Sequence, residues 1–293
     1  YKMIRSADFY DLMHREIAAK ANMTLLIDTV ISIDDIQDNV QVKTATRTYS
    51  CEKAFTSVFD LELLYQQRKY PVLQQHFLGW FITSGTAVFD AQTVTFMDFT
   101  VPQRGNTRFM YVLPFSETEA LVEYTLFSEE TLAPEVYEDA IKAYLAGMGI
   151  SDYTVTEHEK GSIPMTCYDF AAHNSENVLH IGTAGGWTKP STGYTFLNAV
   201  RRSGALASFL KKGLPLTAFG KKTRFWYYDL LFLDVLHRDN ALGQKLFSAM
   251  FKRNAPERIF RFLDELTTPA EDVKMLFSLP PYPFVKSLLK RIF

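Results

Sequence analysis

Glycine is absent from the first 78 residues of this 293-residue chain, and the first glycine is Gly79. A dinucleotide-binding loop of the form G-x-G-x-x-G needs glycines for its tight turn and for the close approach of backbone to phosphate. The N-terminal quarter of the sequence therefore contains no such loop, and no later segment has the spacing either.

The sequence also has few cysteines, a small net charge and no long apolar run. Cys51 and Cys167 are the two cysteines, and they form neither a disulfide framework nor a zinc-binding spacing, which favours a reducing, cytoplasmic compartment without a structural metal. A net charge of −2 gives no electrostatic reason to expect nucleic acid as a partner. No window approaches 18 uncharged apolar residues, so we expect a protein that is soluble or rests on a membrane surface.

Aromatic residues, in contrast, are abundant. The chain has 24 Phe and 15 Tyr and is 47% hydrophobic, enough to bury a large core in more than one structural unit. Part of this aromatic content could line a cavity for a large apolar ligand; the alternative is an ordinary core.

The order of predicted elements is that of an α/β layer, then an antiparallel sheet, then helices. A helix is predicted over residues 5–21, β-type runs over 24–27 and 29–33, and a strand over 40–49. Further strands, separated by turn-rich pieces, are predicted over residues 76–82, 93–99, 108–114, 120–127 and 154–164, with a helix over 134–148. After Phe219 the pattern is helical, interrupted by prolines.

A glycine-rich turn follows a short apolar strand over residues 178–181 and precedes a predicted helix over 194–211. Glycines allow a ligand to approach the backbone, and the helix N-terminus offers free N–H groups and a positive dipole end. The candidate binding residues are Gly182, Gly185, Gly186, Pro190, Thr192 and Gly193. They could hold a pyrophosphate or the electron-rich edge of a flavin, or merely form a tight connection without a ligand.

Two adjacent carboxylates, Glu129 and Glu130, end the last strand of the first β-rich region. Neighbours on a strand point to opposite faces, so one carboxyl group can face a cavity while the other faces solvent. A carboxylic acid in an apolar cavity has a raised pKa and can donate a proton near neutral pH. The alternative is a solvated pair at a strand end.

The C-terminal residues 282–293 form a short basic amphipathic segment. Its apolar residues share one helical face, and Lys286 and Lys290 lie off that face. Such a helix can lie on an anionic membrane surface or pack against the protein as a terminal core helix.

Taken in order, these segments resemble the flavin-dependent lycopene cyclases of carotenoid biosynthesis. Phe127-Ser128-Glu129-Glu130-Thr131 is similar to that family's F-L-E-E-T motif, with Ser in place of Leu. The other matching segments are Gln75-His76-Phe77-Leu78-Gly79-Trp80, Phe96-Met97-Asp98-Phe99, residues 108–114, and residues 181–194. The family begins with a strand and a G-x-G-x-x-G turn for the ADP half of FAD, and we expect that segment to be missing here.

The resemblance implies an α/β fold of the p-hydroxybenzoate-hydroxylase type, with an inserted antiparallel-sheet substrate domain and a helical C-terminal cap. Residues 1–60 and 165–215 would belong to the FAD-binding domain, 61–164 to the substrate domain and 216–293 to the helical region. It implies lycopene or another acyclic carotenoid as substrate, reduced FAD as cofactor and NAD(P)H as reductant. The motif leaves open which of Glu129 and Glu130 is the acid; we expect it to be Glu129, with Glu130 as second carboxylate or orienting partner. The resemblance also implies that the enzyme is peripherally associated with a membrane.

Two other functions share part of this pattern. A flavin-dependent isoprenoid reductase of the geranylgeranyl type would have the same fold but would consume NADPH stoichiometrically. A non-catalytic isoprenoid-binding protein would explain the apolar content without a dinucleotide loop.

Overall fold

The computed structural model describes residues 3–37 and 39–292. The ends of the predicted 1–60 and 216–293 regions, Phe293 of the basic C-terminal segment included, lie outside these described residues.

An antiparallel sheet of five strands forms the centre of the molecule, in the order β6-β7-β8-β5-β9. Its strands are β5 (Val72–Ser84), β6 (Thr95–Asp98), β7 (Thr107–Pro114), β8 (Glu119–Ser128) and β9 (Tyr153–Thr166). Each of β5, β7, β8 and β9 contains one of the predicted β runs, and β6 lies within the run predicted over 93–99. The long central strand β5 pairs with both β8 and β9, so that Gln75 lies between Phe127 and Ile163.

The alternation of side chains along β5 gives the sheet two different faces. Residues such as His76, Leu78 and Trp80 point to one face, which packs on helix α3 (Pro134–Gly147) through Tyr137 and Ile141. Pro134 occupies the first turn of α3, as expected, because proline lacks an N–H that this turn leaves unpaired anyway. Leu73, Gln75 and Phe77 point to the opposite face.

The N-terminal region is built from α1 (Ser6–Ala18) and small sheets. A three-stranded antiparallel sheet is formed by β1 (Val30–Ile36), β2 (Asn39–Thr44) and β3 (Thr48–Cys51). A parallel pair is formed by β4 (Ala54–Thr56) and β10 (Val178–His180), which brings chain segments about 120 residues apart side by side. A short helix α2 (Glu62–Tyr65) then leads into the large sheet.

Two local predictions in this region were wrong. Residues 24–27 form no strand, and the side chains of Leu25 and Ile27 are exposed. The single strand predicted over 40–49 is a hairpin, because the N–H of Thr44 donates to the carbonyl of Arg47 and reverses the chain between β2 and β3.

The C-terminal third is helical, as predicted. After α4 (Phe196–Leu210) come α5 (Arg224–Arg238), α6 (Gly243–Arg253), α7 (Pro256–Leu263), α8 (Pro269–Phe277) and α9 (Pro281–Ile292). The largest core cluster joins these helices to the second face of the sheet, with Leu73, Phe109 and Phe127 packed against Leu233 and Phe247. The glycine-rich turn between β10 and α4 lies beside this junction.

Candidate active site

The glycine-rich turn has a conformation that requires glycine at several positions. Gly182 and Gly186 have φ angles of +59° and +65°, in the left-handed region that L side chains rarely adopt. At Gly185, an added Cβ would lie 2.1 Å from the carbonyl oxygen of His180, so no side chain fits without moving the backbone. At these positions the residues have no side chain of their own to cover the backbone of the turn.

The second half of the turn is closed by its own backbone and leads into α4. The N–H groups of Lys189 and Gly193 donate to the carbonyl oxygens of Tyr194 and Lys189, at 2.8 and 2.9 Å. Gly193 has a φ of +72°. Since the first-turn amides of α4 have no partner within the helix, this end of the turn offers N–H donors and a positive dipole end.

A chain of threonine hydroxyls joins the two halves of the turn. Thr195 Oγ1 donates to the carbonyl of Gly193 at 3.0 Å. Its one proton is then used, so Thr188 must donate to Thr195 at 2.9 Å, and Thr183 to Thr188 at 3.0 Å. This chain of hydroxyl groups links the part of the turn next to Gly182 to the carbonyl of Gly193 and so fixes the distance between them.

A buried ion pair attaches the turn to α5. Lys189 Nζ lies 2.9 Å from Asp229 Oδ2, and Ser191 Oγ donates to Asp229 Oδ1 at 2.7 Å. The side chains of Lys189 and Asp229 are 1% and 4% exposed. Burial raises the pKa of Asp229, and the adjacent Lys189 ammonium opposes that rise. Sequence reasoning missed this network, since its members are 38 and 40 residues apart.

Gln75 brings the sheet to the same turn. Its side chain is 8% exposed, and its Oε1 has no hydrogen-bond partner among the described residues. A Cβ added at Gly193 would lie 3.1 Å from that oxygen. A buried carbonyl oxygen without a partner is costly, so its position beside bare backbone suits a ligand with a hydrogen-bond donor at its edge.

The two predicted catalytic carboxylates lie where β8 ends. Both side chains are exposed. Glu129 is 62% exposed and lies 3.2 Å from Nε2 of His237 on α5. Its backbone carbonyl accepts from Gln74, and the carbonyl of Glu130 accepts from Ser128. The carboxyl groups therefore sit on an anchored backbone beside a polar surface rather than inside an apolar cavity.

A buried histidine, His76, contacts the residue that holds the backbone at Glu130. His76 is 1% exposed, with Nδ1 2.7 Å from the Tyr137 hydroxyl and Nε2 2.6 Å from Ser128 Oγ. Because Ser128 donates to the Glu130 carbonyl, Nε2 must carry the imidazole proton, and Tyr137 donates to Nδ1. Burial lowers the pKa of His76 to about 4, so the ring is neutral. Ser128, the departure from the F-L-E-E-T pattern, is what His76 binds.

A second carboxyl pair, which sequence reasoning did not single out, lies on the face of the sheet that carries Gln75. Glu123 and Glu159 flank Gly79 on the two neighbouring strands. Burial raises the pKa of both carboxyl groups, that of Glu123 to about 8. The negative charge of Glu159 raises the pKa of Glu123 further, and the charge of Glu157 raises that of Glu159, whereas the hydrogen bond with Glu123 lowers the pKa of Glu159. The missing side chain at Gly79 is what makes room, since an added Cβ would lie 3.0 Å from Glu159 Cγ.

An apolar cavity of 540 Å³ opens beside the turn. Ser191 and Thr192 of the turn and Asp229 of α5 line it, and the other lining residues are mainly aromatic and aliphatic side chains of α5 to α9. Among the described residues, no group of three His, Cys, Asp or Glu side chains could hold a metal ion.

A family model described as "Lycopene cyclase protein" matches residues 1–289 of the chain. The chain belongs to the lycopene cyclase family. The predicted membership is therefore confirmed.

Among the relatives of this chain, the lycopene β-cyclase of Pantoea ananas is 35% identical over 211 residues, which cover 66% of this chain and 53% of the relative. The lycopene β-cyclase of a Paracoccus strain is 31% identical over 119 residues, covering 38% of this chain and 30% of the relative. The chain thus spans about half the length of the first relative and less of the second.

Solved structures confirm the predicted fold class of this cyclase-family chain. A geranylgeranyl bacteriochlorophyll reductase-like protein from Thermoplasma acidophilum superposes with a TM-score of 0.52 at 11% identity, over 96% of this chain and 71% of that one. A flavoprotein/dehydrogenase from Cytophaga hutchinsonii gives 0.52 at 12% identity, over 100% and 76%. The chain therefore has the mixed α/β flavoprotein fold, with an antiparallel sheet and C-terminal helices.

Proposed function

We propose that the protein is a lycopene β-cyclase that closes β-ionone rings at the acyclic ends of lycopene, giving γ- and β-carotene. The observation that carries the proposal is family membership over residues 1–289. It is supported by an apolar cavity that ends at the glycine-rich turn. In this account residues 1–60 and 165–215 contribute to the flavin domain, 61–164 to the substrate domain, and 216–293 to the helical cap.

The turn fits a flavin. Bare backbone at Gly182, Gly185, Gly186 and Gly193, the N-terminus of α4 and the unpaired oxygen of Gln75 together offer the donors and acceptor that a flavin edge needs. Pro190 and Thr192 belong to the same segment and would line the bound ring. When bound in its reduced state, with NAD(P)H as the source of electrons, FAD would supply electron density that stabilises a nearby carbocation.

The chemistry is a proton-initiated isomerisation. A carboxylic acid adds a proton to C2 of the terminal double bond, which leaves a tertiary cation at C1. The C5=C6 double bond attacks C1, and loss of the C6 proton to a base leaves the β-ring. No electrons are gained or lost, so the product is an isomer of the substrate.

Glu129 is proposed as the acid and Glu130 as its partner. The side chain of His237 on α5 lies 3.2 Å from the Glu129 carboxylate and can position it by a hydrogen bond. The His76–Ser128 contacts fix the backbone from which both carboxylates project. Since lycopene offers no polar group, its binding depends on apolar area, worth about 25 cal/mol per Å².

The test of this assignment compares Glu129, which directly follows β8, with Glu123, which lies within β8. Glu129→Gln should lower ring formation by about 10²–10⁴-fold while leaving flavin absorbance unchanged. Glu123→Gln is the matched control, because that carboxyl group also belongs to the sheet but lies six residues away. Full activity in Glu129→Gln with loss of activity in Glu123→Gln would move the acid to the Glu123–Glu159 pair.

A further inference from the structure

Helix α9 is attached to the protein by its polar side. Ser287 is 1% exposed, and Arg291 binds both carboxylate oxygens of Asp234 on α5, at 2.8 and 2.6 Å. The same guanidinium donates to the carbonyl of Lys69 at 2.6 Å. The polar residues Ser287 and Arg291 therefore face the protein together with Phe284, which packs against the core, whereas Lys286 and Lys290 remain exposed.

The apolar side of α9 consequently faces outward. Half or nearly half of each side chain is exposed at Val285, Leu288, Leu289 and Ile292. The end of α8 continues this surface with Phe277, which is 82% exposed. We call these residues the α8–α9 surface. Exposed apolar area of this extent is unfavourable in water and marks a site of interaction.

The same surface forms the mouth of the apolar cavity. Leu276, Phe277, Val285 and Leu288 are all exposed and all line the 540 Å³ cavity, which Ser191 and Thr192 of the glycine-rich turn also line. An apolar path therefore runs from the outside of α8 and α9 to the glycine-rich turn.

The charges that α8 and α9 expose after Asp272 have one sign. Residues 273–292 contain no acidic residue; Lys274, Lys286 and Lys290 are exposed, whereas Arg291 is paired with Asp234. Apolar side chains surrounded by cations match a surface that is apolar within and negatively charged at its boundary, which describes an anionic lipid bilayer. A second copy of this chain would bring the same cations against each other.

We propose that the α8–α9 surface is seated on an anionic bilayer and that the gap between the two helices is the portal through which a lipid-soluble substrate enters the cavity. The seating rests on the exposed residues alone, whereas the portal also rests on the proposed function. Among the described residues, no helix is long and apolar enough to cross a membrane.

Seating is tested in the holoprotein with one reporter cysteine at a time. Cys51→Ser removes the partly exposed thiol, and Cys167 is buried. An environment-sensitive fluorophore is then attached at Phe277→Cys or, as control, at Val58→Cys, a position 66% exposed in another part of the fold. Phosphatidylcholine vesicles containing phosphatidylglycerol should shift the emission to the blue at 277 and not at 58.

The charge contribution is measured in the same titration. Lys286→Ala and Lys290→Ala should each weaken vesicle affinity roughly fivefold, since each lysine near an anionic surface contributes about 1 kcal/mol. High salt should have the same effect. No shift at position 277, or equal shifts at 277 and 58, would overturn the seating. A dimer in solution that Phe277→Glu dissociates would assign the surface to a second copy instead.

The portal is tested separately by Leu288→Trp, which keeps the mouth apolar but narrows it. Vesicle binding should be unchanged, while transfer of lycopene from vesicles to protein, followed by flotation and pigment absorbance, should slow several-fold. Unchanged transfer with normal binding would overturn the portal alone. If wild-type protein binds vesicles but takes up no lycopene, the proposed function fails and the seating stands.

Discussion

Replacement of Lys189 by Met tests whether the buried ion pair holds the glycine-rich turn on α5. Met has nearly the same length but cannot neutralise Asp229, whose side chain is 4% exposed and would keep only the hydroxyl of Ser191 as partner. Removing one member of a buried pair typically costs 3–5 kcal/mol, roughly a third or more of a domain's stability. We expect the free energy of unfolding to fall by about that amount at pH 8.

The pH dependence of this loss identifies its cause. Without Lys189, burial keeps the pKa of Asp229 above its unfolded value, and the hydrogen bond from Ser191 opposes that rise only in part. A group with a raised folded pKa favours the folded state at low pH and loses that contribution as pH rises through the folded value. The deficit of Lys189→Met relative to the wild type should therefore be smaller at pH 5 than at pH 8.

Urea unfolding at the two pH values, followed by tryptophan fluorescence, measures both effects. Lys142→Met is the matched control, because Lys142 pairs with Asp139 at 3.5 Å while both side chains are more than half exposed. Its unfolding free energy should change by less than about 1 kcal/mol. A Lys189→Met variant as stable as this control, or a deficit equal at both pH values, would refute the reasoning.

Two further predictions concern the turn and the sheet. Gly185→Ala should abolish stable flavin binding and lower the melting temperature, because the added Cβ would clash with the carbonyl oxygen of His180. The control is Gly204→Ala in α4, where the space is open; it should leave the free energy of unfolding unchanged or raise it by up to about 1 kcal/mol. The pKa of His76 is lowered from 6.5 to about 4 in the folded protein. Between these two pH values the unfolded chain binds a proton that the folded protein does not, so the free energy of unfolding should fall by up to about 3 kcal/mol as pH decreases from 6.5 to 4. His76→Phe should flatten that limb of the stability curve; an unchanged slope would contradict the buried neutral ring.

The large sheet could be predicted from the sequence because its strands carry regular alternation bounded by turn residues. The hairpin at residues 40–49 could not, since Ala45 and Thr46 are compatible with a strand and the reversal depends on a backbone hydrogen bond between Thr44 and Arg47. Residues 24–27 have strand composition but find no partner strand among the described residues. Composition predicts the tendency, and pairing decides the outcome.

The candidate site shows the same division. The glycine positions of the turn were visible, because each glycine meets a local backbone demand. The pairs Lys189–Asp229 and His76–Ser128 join residues 40 and 52 positions apart, and no local pattern records such contacts. The periodicity of residues 282–293 predicted an apolar face on α9, but only the Arg291–Asp234 contact shows that this face points outward.

The most direct test of the proposed function is an anaerobic assay of the holoprotein with lycopene in liposomes, FAD and excess NADPH, with dithionite as alternative reductant. The account predicts γ- and β-carotene without stoichiometric loss of NADPH, because ring closure is an isomerisation. Hydrogenated, still acyclic product formed with one NADPH per reduced double bond would contradict it and would assign the site to an isoprenoid reductase.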